Sequence, residues 1–246
     1  MPILDGKQLA QQIKEEIATE VAKLKAIGEK TPHLAAVLVG ENPASQVYVR
    51  NKVRSCEQVG FQSTLIRESA DISEEDLLKI IDGLNQNPDI DGFIVQLPLP
   101  KHIDETKVTL AIDPKKDVDG FHPMNFGRMA QGMPSYLPAT PYGIVQMLDR
   151  YNIETSGKHC VVVGRSNIVG TPMSILLSRK AKVGNCTVTL AHSRTKDLTA
   201  EVLRADIIIA AIGRANFITA DMVKEGAVVI DVGINRIDKP EGGTRL

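Results

Sequence analysis

The chain has 246 residues, 43% of them hydrophobic and 24% charged, with a formal net charge of -1. That length allows two small α/β domains and that composition a real core, while the near-zero charge offers neither a basic surface for nucleic acid nor an acidic tail for a charged partner. No apolar run approaches the roughly 20 residues that cross a bilayer, so no membrane association is expected. The opening "MPILDGKQLAQQIKEEI" is amphipathic and acidic, unlike a signal or transit peptide. Cys56, Cys160 and Cys186 form no C-x-x-C pair and lie in apolar surroundings; core packing and a reduced, cytoplasmic protein are expected. No His/Cys/Asp group has metal-ligand spacing, so no metal site is expected.

In chain order, apolar periodicity predicts a helix from about Gly6 to Ile27 and a strand in "HLAAVLVG". A second helix follows, with Asn42 as N-cap, Pro43 at its first position and Gly60 closing it. "FQSTLIRE" reads as a strand. "SEEDLLKIIDGLN" reads as a helix capped by Ser73 with Asp76 three residues on. "DGFIVQLPLP" reads as a buried strand stopped by its prolines. From Lys101 to Pro138 the pattern breaks into a Gly-, Pro- and Asp-rich segment, of the kind that is functional or a linker. "PYGIVQMLDRYN" resumes a helix. A second series follows: strand "GKHCVVVG", a helix near Pro172–Lys180, strand "CTVTLAH", a short helix, strand "ADIIIAAIG", another helix and strand "GAVVIDVG". Strands alternating with helices indicate parallel α/β layers. The expected division is residues 1–140 and 141–246, the second a Rossmann-like dinucleotide-binding domain.

Three positions in the first series invite chemistry. At about 100° per residue, Lys52 lies beside the apolar stripe of Val49, Val53 and Cys56, close to Ser45 and Tyr48. Gln96 ends a buried strand, at the edge where α/β sheets take ligands. Asp119, in "KKDVDGFHP", could hold a flat heterocycle through two parallel hydrogen bonds, and Tyr48 offers a stacking face. Taken singly, each has a plain reading as well: a snorkelling lysine, a structural glutamine, a capping aspartate, a surface tyrosine.

In the second series, "VVVGRSNIVGTPMS" runs strand, glycine turn, helix. Gly164 permits the turn; Gly170 permits close approach of a phosphate or close helix packing; the amides opening the helix suit an anion. Ser166 replaces the second glycine of the usual fingerprint, and an ordinary tight turn would also satisfy the pattern. The next strand ends in His192, Ser193, Arg194 and Thr195, with no acid before Asp197. Arg165 and Arg194 therefore favour a 2′-phosphate, hence NADP over NAD, though each also reads as a plain solvated arginine. Gly213 and Gly233 end later strands where a nicotinamide nucleotide crosses, or where a strand simply turns.

"SQVYVRNK", "VQLPLP", "DVDGFHP", "PATPYG", "VVVGRSNIVGTP", "AHSRT" and "VIDVGIN" occur in that order. Through them the chain resembles the bifunctional methylenetetrahydrofolate dehydrogenase/methenyltetrahydrofolate cyclohydrolase family over nearly its whole length. The resemblance implies a two-domain α/β enzyme, a homodimer, with folate bound in a cleft between the domains. It implies NADP-dependent oxidation of 5,10-methylenetetrahydrofolate, then hydrolysis of the methenyl product to 10-formyltetrahydrofolate in one-carbon metabolism. By motif matching, Lys52 is the catalytic lysine, Tyr48 stacks on the folate, Gln96 contacts and tunes Lys52, and Asp119 holds the pterin edge. Ser45, Leu97 and Pro98 join the substrate side. Thr140, Gly164, Arg165, Ser166, Gly170, Pro172, His192, Ser193, Arg194, Ile212, Gly213, Val232, Gly233 and Ile234 fall on the cofactor side. A partly buried lysine poised near neutrality can exchange a proton with attacking water, the role expected of Lys52. Two departures stand out. Ala139 replaces a cysteine usual in the family. The family also continues past "VIDVGIN" with a Gly/Pro-rich loop and a final helix on the first domain, whereas this sequence runs to "KPEGGTRL". The expectation is a chain short of that segment and of one wall of the folate site.

Overall fold

A computed structural model describes residues 3–233, 237–238 and 244–245. The chain divides into two compact units, one of Met1–Gly127 with Ser135–Leu137, the other of Arg128–Pro134 with Pro138–Leu246.

The first unit is built on a parallel sheet of order β2-β1-β3, with β1 at His33–Val39, β2 at Gln62–Glu68 and β3 at Gly92–Val95. The near-continuous apolar run of β1 is what a strand covered on both faces requires. Side chains alternate between the faces. Ala35, Val37 and Val39 pack with Leu77, Ile81 and Leu84 of α3 (Glu74–Gln86). Ala36 and Leu38 pack with Val49 of α2 (Pro43–Val59). Cap chemistry fixes where these helices begin. Asn42 accepts from the amides of Ala44 and Ser45, Pro43 stands in the first turn, and Gly60 closes α2 at φ 81°. Ser73 accepts from the Asp76 amide to start α3. The long helix α1 spans Gly6–Ala26 and packs along α2.

The stretch from Lys101 to Pro138 is more ordered than its composition suggests. It holds α4 (Glu105–Ala111) and α5 (Pro123–Ala130). Asp104 caps α4 through the amides of Thr106 and Lys107, a signal hidden by the surrounding Gly, Pro and Asp. Between these helices Phe93 bridges to Asp117 in parallel, so the "DVDG" segment runs beside β3. Gly92 makes this possible: a Cβ there would lie 2.2 Å from Val118 Cγ1.

The second unit carries a four-stranded parallel sheet of order β5-β4-β6-β7, with β4 at His159–Val163, β5 at Thr187–Ala191, β6 at Ile207–Ala210 and β7 at Val228–Asp231. Helix α6 (Ala139–Arg150) packs on α7 (Gly170–Ser178), and α7 covers β4 and β5. Met173, Leu176 and Leu177 of α7 are fully buried. Helix α8 (Leu198–Leu203) covers the other side with Val202 against Val161, Val163 and Ile208. The helix expected between β6 and β7 is only a three-residue 3₁₀ turn, Ala220–Met222. A short antiparallel pair, β8 (Ile237–Asp238) and β9 (Thr244–Arg245), follows. Among the described residues no helix is long and apolar enough to cross a membrane.

Sheet order reverses at the β4/β6 boundary, and two glycines make the turn there. Gly164 has φ 115°, and a Cβ on it would lie 2.3 Å from the Ala211 carbonyl oxygen. A Cβ on Gly170 would lie 1.9 Å from the Gly164 carbonyl oxygen. Gly170→Ala is therefore expected to cost about 2–3 kcal/mol, whereas Gly83→Ala, mid-helix with open space around it, should gain about 0.5–1 kcal/mol. Urea unfolding of the two variants beside the parent checks both; a neutral Gly170→Ala contradicts the packing account.

Candidate active site

In the first unit the chemistry-bearing residues come from three elements. Tyr48 and Lys52 stand one turn apart on α2. Tyr48 is 42% exposed, so its ring is open to a ligand. Lys52 is half-buried, and its Nζ lies 3.5 Å from Asp119 Oδ1. Asp119 reaches it from the "DVDG" segment, 67 residues on. Its side chain is only 19% exposed. Burial raises its carboxyl above the ordinary range, the Lys52 ammonium pulls it back down, and nearby Asp117 pushes it up again.

Gln96 comes from the sheet edge. Its amide N–H donates to the Val37 carbonyl, extending the β1/β3 ladder one step before Leu97 and Pro98 end it. The expected contact from Gln96 to Lys52 takes another form here. Nε2 of Gln96 donates to the Leu97 carbonyl at 2.7 Å. Its Oε1 is buried without a hydrogen-bond partner, an unmet acceptor of the kind that a ligand or a moved ammonium satisfies. Leu97 is half-buried and Pro98 exposed. Ser45 is 3% exposed, beneath α2 rather than on its open face.

Asp117 is the residue that motif reasoning passed over. It is buried, and its carboxylate accepts from the amides of Phe121 and His122 and from Asn125 Nδ2. Asn125 also donates to the Pro114 carbonyl. This knot holds the loop whose next but one residue is Asp119. The signal was present as two acids at alternate positions in "DVDG", one turned inward and one toward Lys52.

The cofactor-side residues of the second unit gather at the carboxyl ends of its strands. Gly164, Arg165, Ser166, Gly170 and Pro172 form the turn after β4 and the start of α7, with Arg165 and Ser166 exposed. Ser166 Oγ accepts from the Val169 amide at 3.2 Å. His192, Ser193 and Arg194 follow β5, beside that turn, since the Gly164 amide bonds the Ala191 carbonyl. His192 Nδ1 accepts from the Arg194 amide, a turn-making role. Ile212 and Gly213 follow β6, and Val232 and Gly233 follow β7, where the Val232 amide bonds the Ala210 carbonyl. Gly213 meets no steric demand for glycine. Thr140 opens α6 and is exposed. Ile234 lies outside the described residues.

These residues fit a phosphorylated dinucleotide. The two glycines let the end of β4, the turn and the start of α7 pack backbone against backbone, and Arg165 and Arg194 present exposed guanidinium groups. Asp197, the first acid after β5, is engaged in capping α8 through the Ala200 amide. Among the described residues no His, Cys, Asp and Glu cluster could hold a metal.

The family model for the tetrahydrofolate dehydrogenase/cyclohydrolase catalytic domain matches residues 4–119, and that for the NAD(P)-binding domain of the same family matches residues 138–245. The bifunctional protein FolD of Cytophaga hutchinsonii is 63% identical over 238 residues, which are 97% of this chain and 82% of that protein. Among solved structures, the FolD methylenetetrahydrofolate dehydrogenase/cyclohydrolase of Campylobacter jejuni superposes with a TM-score of 0.93 at 43% identity, covering 99% of this chain and 84% of that one. The Trypanosoma brucei methylenetetrahydrofolate dehydrogenase-cyclohydrolase, complexed with NADP cofactor and inhibitor, superposes with a TM-score of 0.92 at 32% identity, covering 100% and 84%. With the two-unit α/β architecture, the paired Lys52 and Asp119 and the glycine turn after β4, these matches establish that the chain belongs to the tetrahydrofolate dehydrogenase/cyclohydrolase family.

Proposed function

We propose that this chain oxidises 5,10-methylenetetrahydrofolate with NADP and hydrolyses the methenyl product to 10-formyltetrahydrofolate, with Lys52 as the acid/base of the second step. The observation that carries the reading is the 3.5 Å approach of Lys52 Nζ to Asp119 Oδ1 from two remote segments. On this reading residues 1–140 are the folate-binding, catalytic domain and 141–246 the NADP-binding domain.

Asp119 takes the amino-pyrimidine edge of the pterin in two parallel hydrogen bonds, and Tyr48 stacks on the folate. Ser45, Leu97 and Pro98 shape the substrate side. The unmet Gln96 Oε1 accepts from the substrate or from Lys52 once a ligand is seated. Gly164, Ser166, Gly170 and Pro172 hold the pyrophosphate, and Arg165, His192, Ser193 and Arg194 the 2′-phosphate. Thr140, Ile212, Gly213, Val232, Gly233 and Ile234 complete the cofactor side. NADP, when bound, supplies the hydride acceptor. For that step the chain's contribution is orientation and exclusion of water. In the hydrolysis, water adds to the cationic methenyl carbon; of its two protons, one is released to solvent as the carbonyl forms and the other reaches N5 as the carbon–N5 bond breaks. Lys52 carries that proton from water to nitrogen, and Gln96 and Tyr48 set its position. We also propose a homodimer in a reducing cytoplasm; three free, buried cysteines support the second point.

Three outcomes are expected. Lys52→Met should lower methenyl hydrolysis by about 100-fold or more, the usual scale of general acid–base catalysis, in a stopped assay of isolated methenyl substrate; a parental rate would remove Lys52 from the role. Arg165→Ala should weaken NADP binding about tenfold, one charged hydrogen bond's worth, and leave NAD binding nearly unchanged by fluorescence titration. Equal losses for both would place Arg165 away from the 2′-phosphate. Because the folded state raises the Asp119 pKa, it holds that proton more tightly than the unfolded chain. Stability then falls as pH rises from the ordinary carboxylate range through the raised value, and the full penalty stands above it. Asp119→Asn should therefore be more stable than the parent at pH 7, with the difference closing as pH drops below about 4. Thermal melts across pH test this, and a pH-independent difference would contradict it.

A further inference from the structure

A second recess lies on the opposite flank of α2 from Tyr48 and Lys52. It measures about 410 Å³ and is walled by Arg50 and Arg54 of α2 and Arg67 of the edge strand β2, with Glu57 at one end. Three guanidinium groups against one carboxylate leave a local charge of +2. Among the described residues none of the three arginines has a hydrogen bond or an ion pair to another side chain. Arg54 and Glu57 are three residues apart, a spacing at which Lys79 and Asp76 of α3 do pair. Arg50 and Arg54, four apart, are a like-charged pair that disfavours its own helix. The arrangement is thus costly by itself and is relieved by an anion that reaches all three groups.

The recess also has an apolar floor. Val53 and Leu65 line it, and both pack on the core of Ala36, Leu38, Val49 and Ile94, so the floor is rigid. A volume near 410 Å³ falls in the range of small-molecule sites and exceeds what one inorganic phosphate fills. Guanidinium groups arriving from a helix and a strand suit the divergent oxygens of a phosphate chain, and a fixed apolar floor suits a flat base. We propose that this recess is a binding site for a nucleoside di- or triphosphate, separate from the dinucleotide cradle after β4.

Clustered carboxylates share the charge chemistry, so the test carries both arms. The chain, presaturated with NADP to fill its own nucleotide site, is titrated with ATP and separately with citrate by calorimetry at low and moderate salt. The expected result is one ATP site that weakens with salt. It should weaken at least tenfold in the Arg54→Glu/Arg67→Glu double variant, whose NADP affinity stays at the parental value. Arg50→Ala, a single truncation of an exposed side chain, should weaken ATP severalfold without lowering the melting temperature. The proposal is overturned if the parent takes up no ATP at millimolar concentration, or if the charge-reversed variant binds it as well as the parent. Citrate binding in place of ATP overturns the assignment to a phosphorylated ligand.

Discussion

Parallel strand pairing is the constraint on which the rest depends. In a parallel sheet every strand ends at the same edge, and each connection must return across a face. The three-stranded and four-stranded sheets are wholly parallel. Each also reverses its winding at one boundary, between β1 and β3 in the first unit and between β4 and β6 in the second. Loops diverge at such a boundary and leave a crevice at the carboxyl edge. Gln96 stands at the first boundary, and Gly164 at the second. Everything assigned a chemical role is delivered to one of these edges, or to the helix beside it.

Delivery is exact to within an atom's width because glycine removes obstacles at three points. Gly92 lets Val118 lie against β3, and that contact brings Asp119 to Lys52. Gly164 and Gly170 let a strand end, a turn and a helix start share one small volume. Asp117 supplies the complementary force, since three donors converge on its buried carboxylate and hold the loop shut. Positioning in the first unit thus rests on a polar knot, and in the second on backbone-to-backbone packing. The electrostatics follow. Asp119 is placed where burial disfavours its charge and Lys52 partly restores it, leaving a carboxyl ready to exchange its present partner for a ligand.

Much of this was legible before any coordinates. Asn42, Pro43 and Gly60 spelled out the ends of α2, Ser73 the start of α3, and the unbroken apolar run of β1 its two-sided burial. The pairing of Lys52 with Asp119 was not legible: motif order set both on the substrate side but gave Lys52 the partner Gln96, and no local rule joins residues so far apart. What stayed hidden has physical causes. Helices α4 and α5 are short, and their cap signals sit among Gly, Pro and Asp residues that also signal turns. The 3₁₀ turn at Ala220–Met222 was read as a helix because a few apolar residues have no defined period. The Gln96 amide turned to Leu97 is a rotamer choice that composition does not encode. The arginine recess depends on β2 lying under one flank of α2, a tertiary fact.

The central claim is that one chain carries out both steps in succession. The direct test supplies 5,10-methylenetetrahydrofolate and NADP together and follows reduced cofactor and methenyl intermediate in the same reaction. The account predicts that reduced NADP accumulates while 10-formyltetrahydrofolate forms at a matching rate. Reduced NADP accompanied by a stoichiometric build-up of unhydrolysed methenyltetrahydrofolate, or no reduction at all, would contradict it.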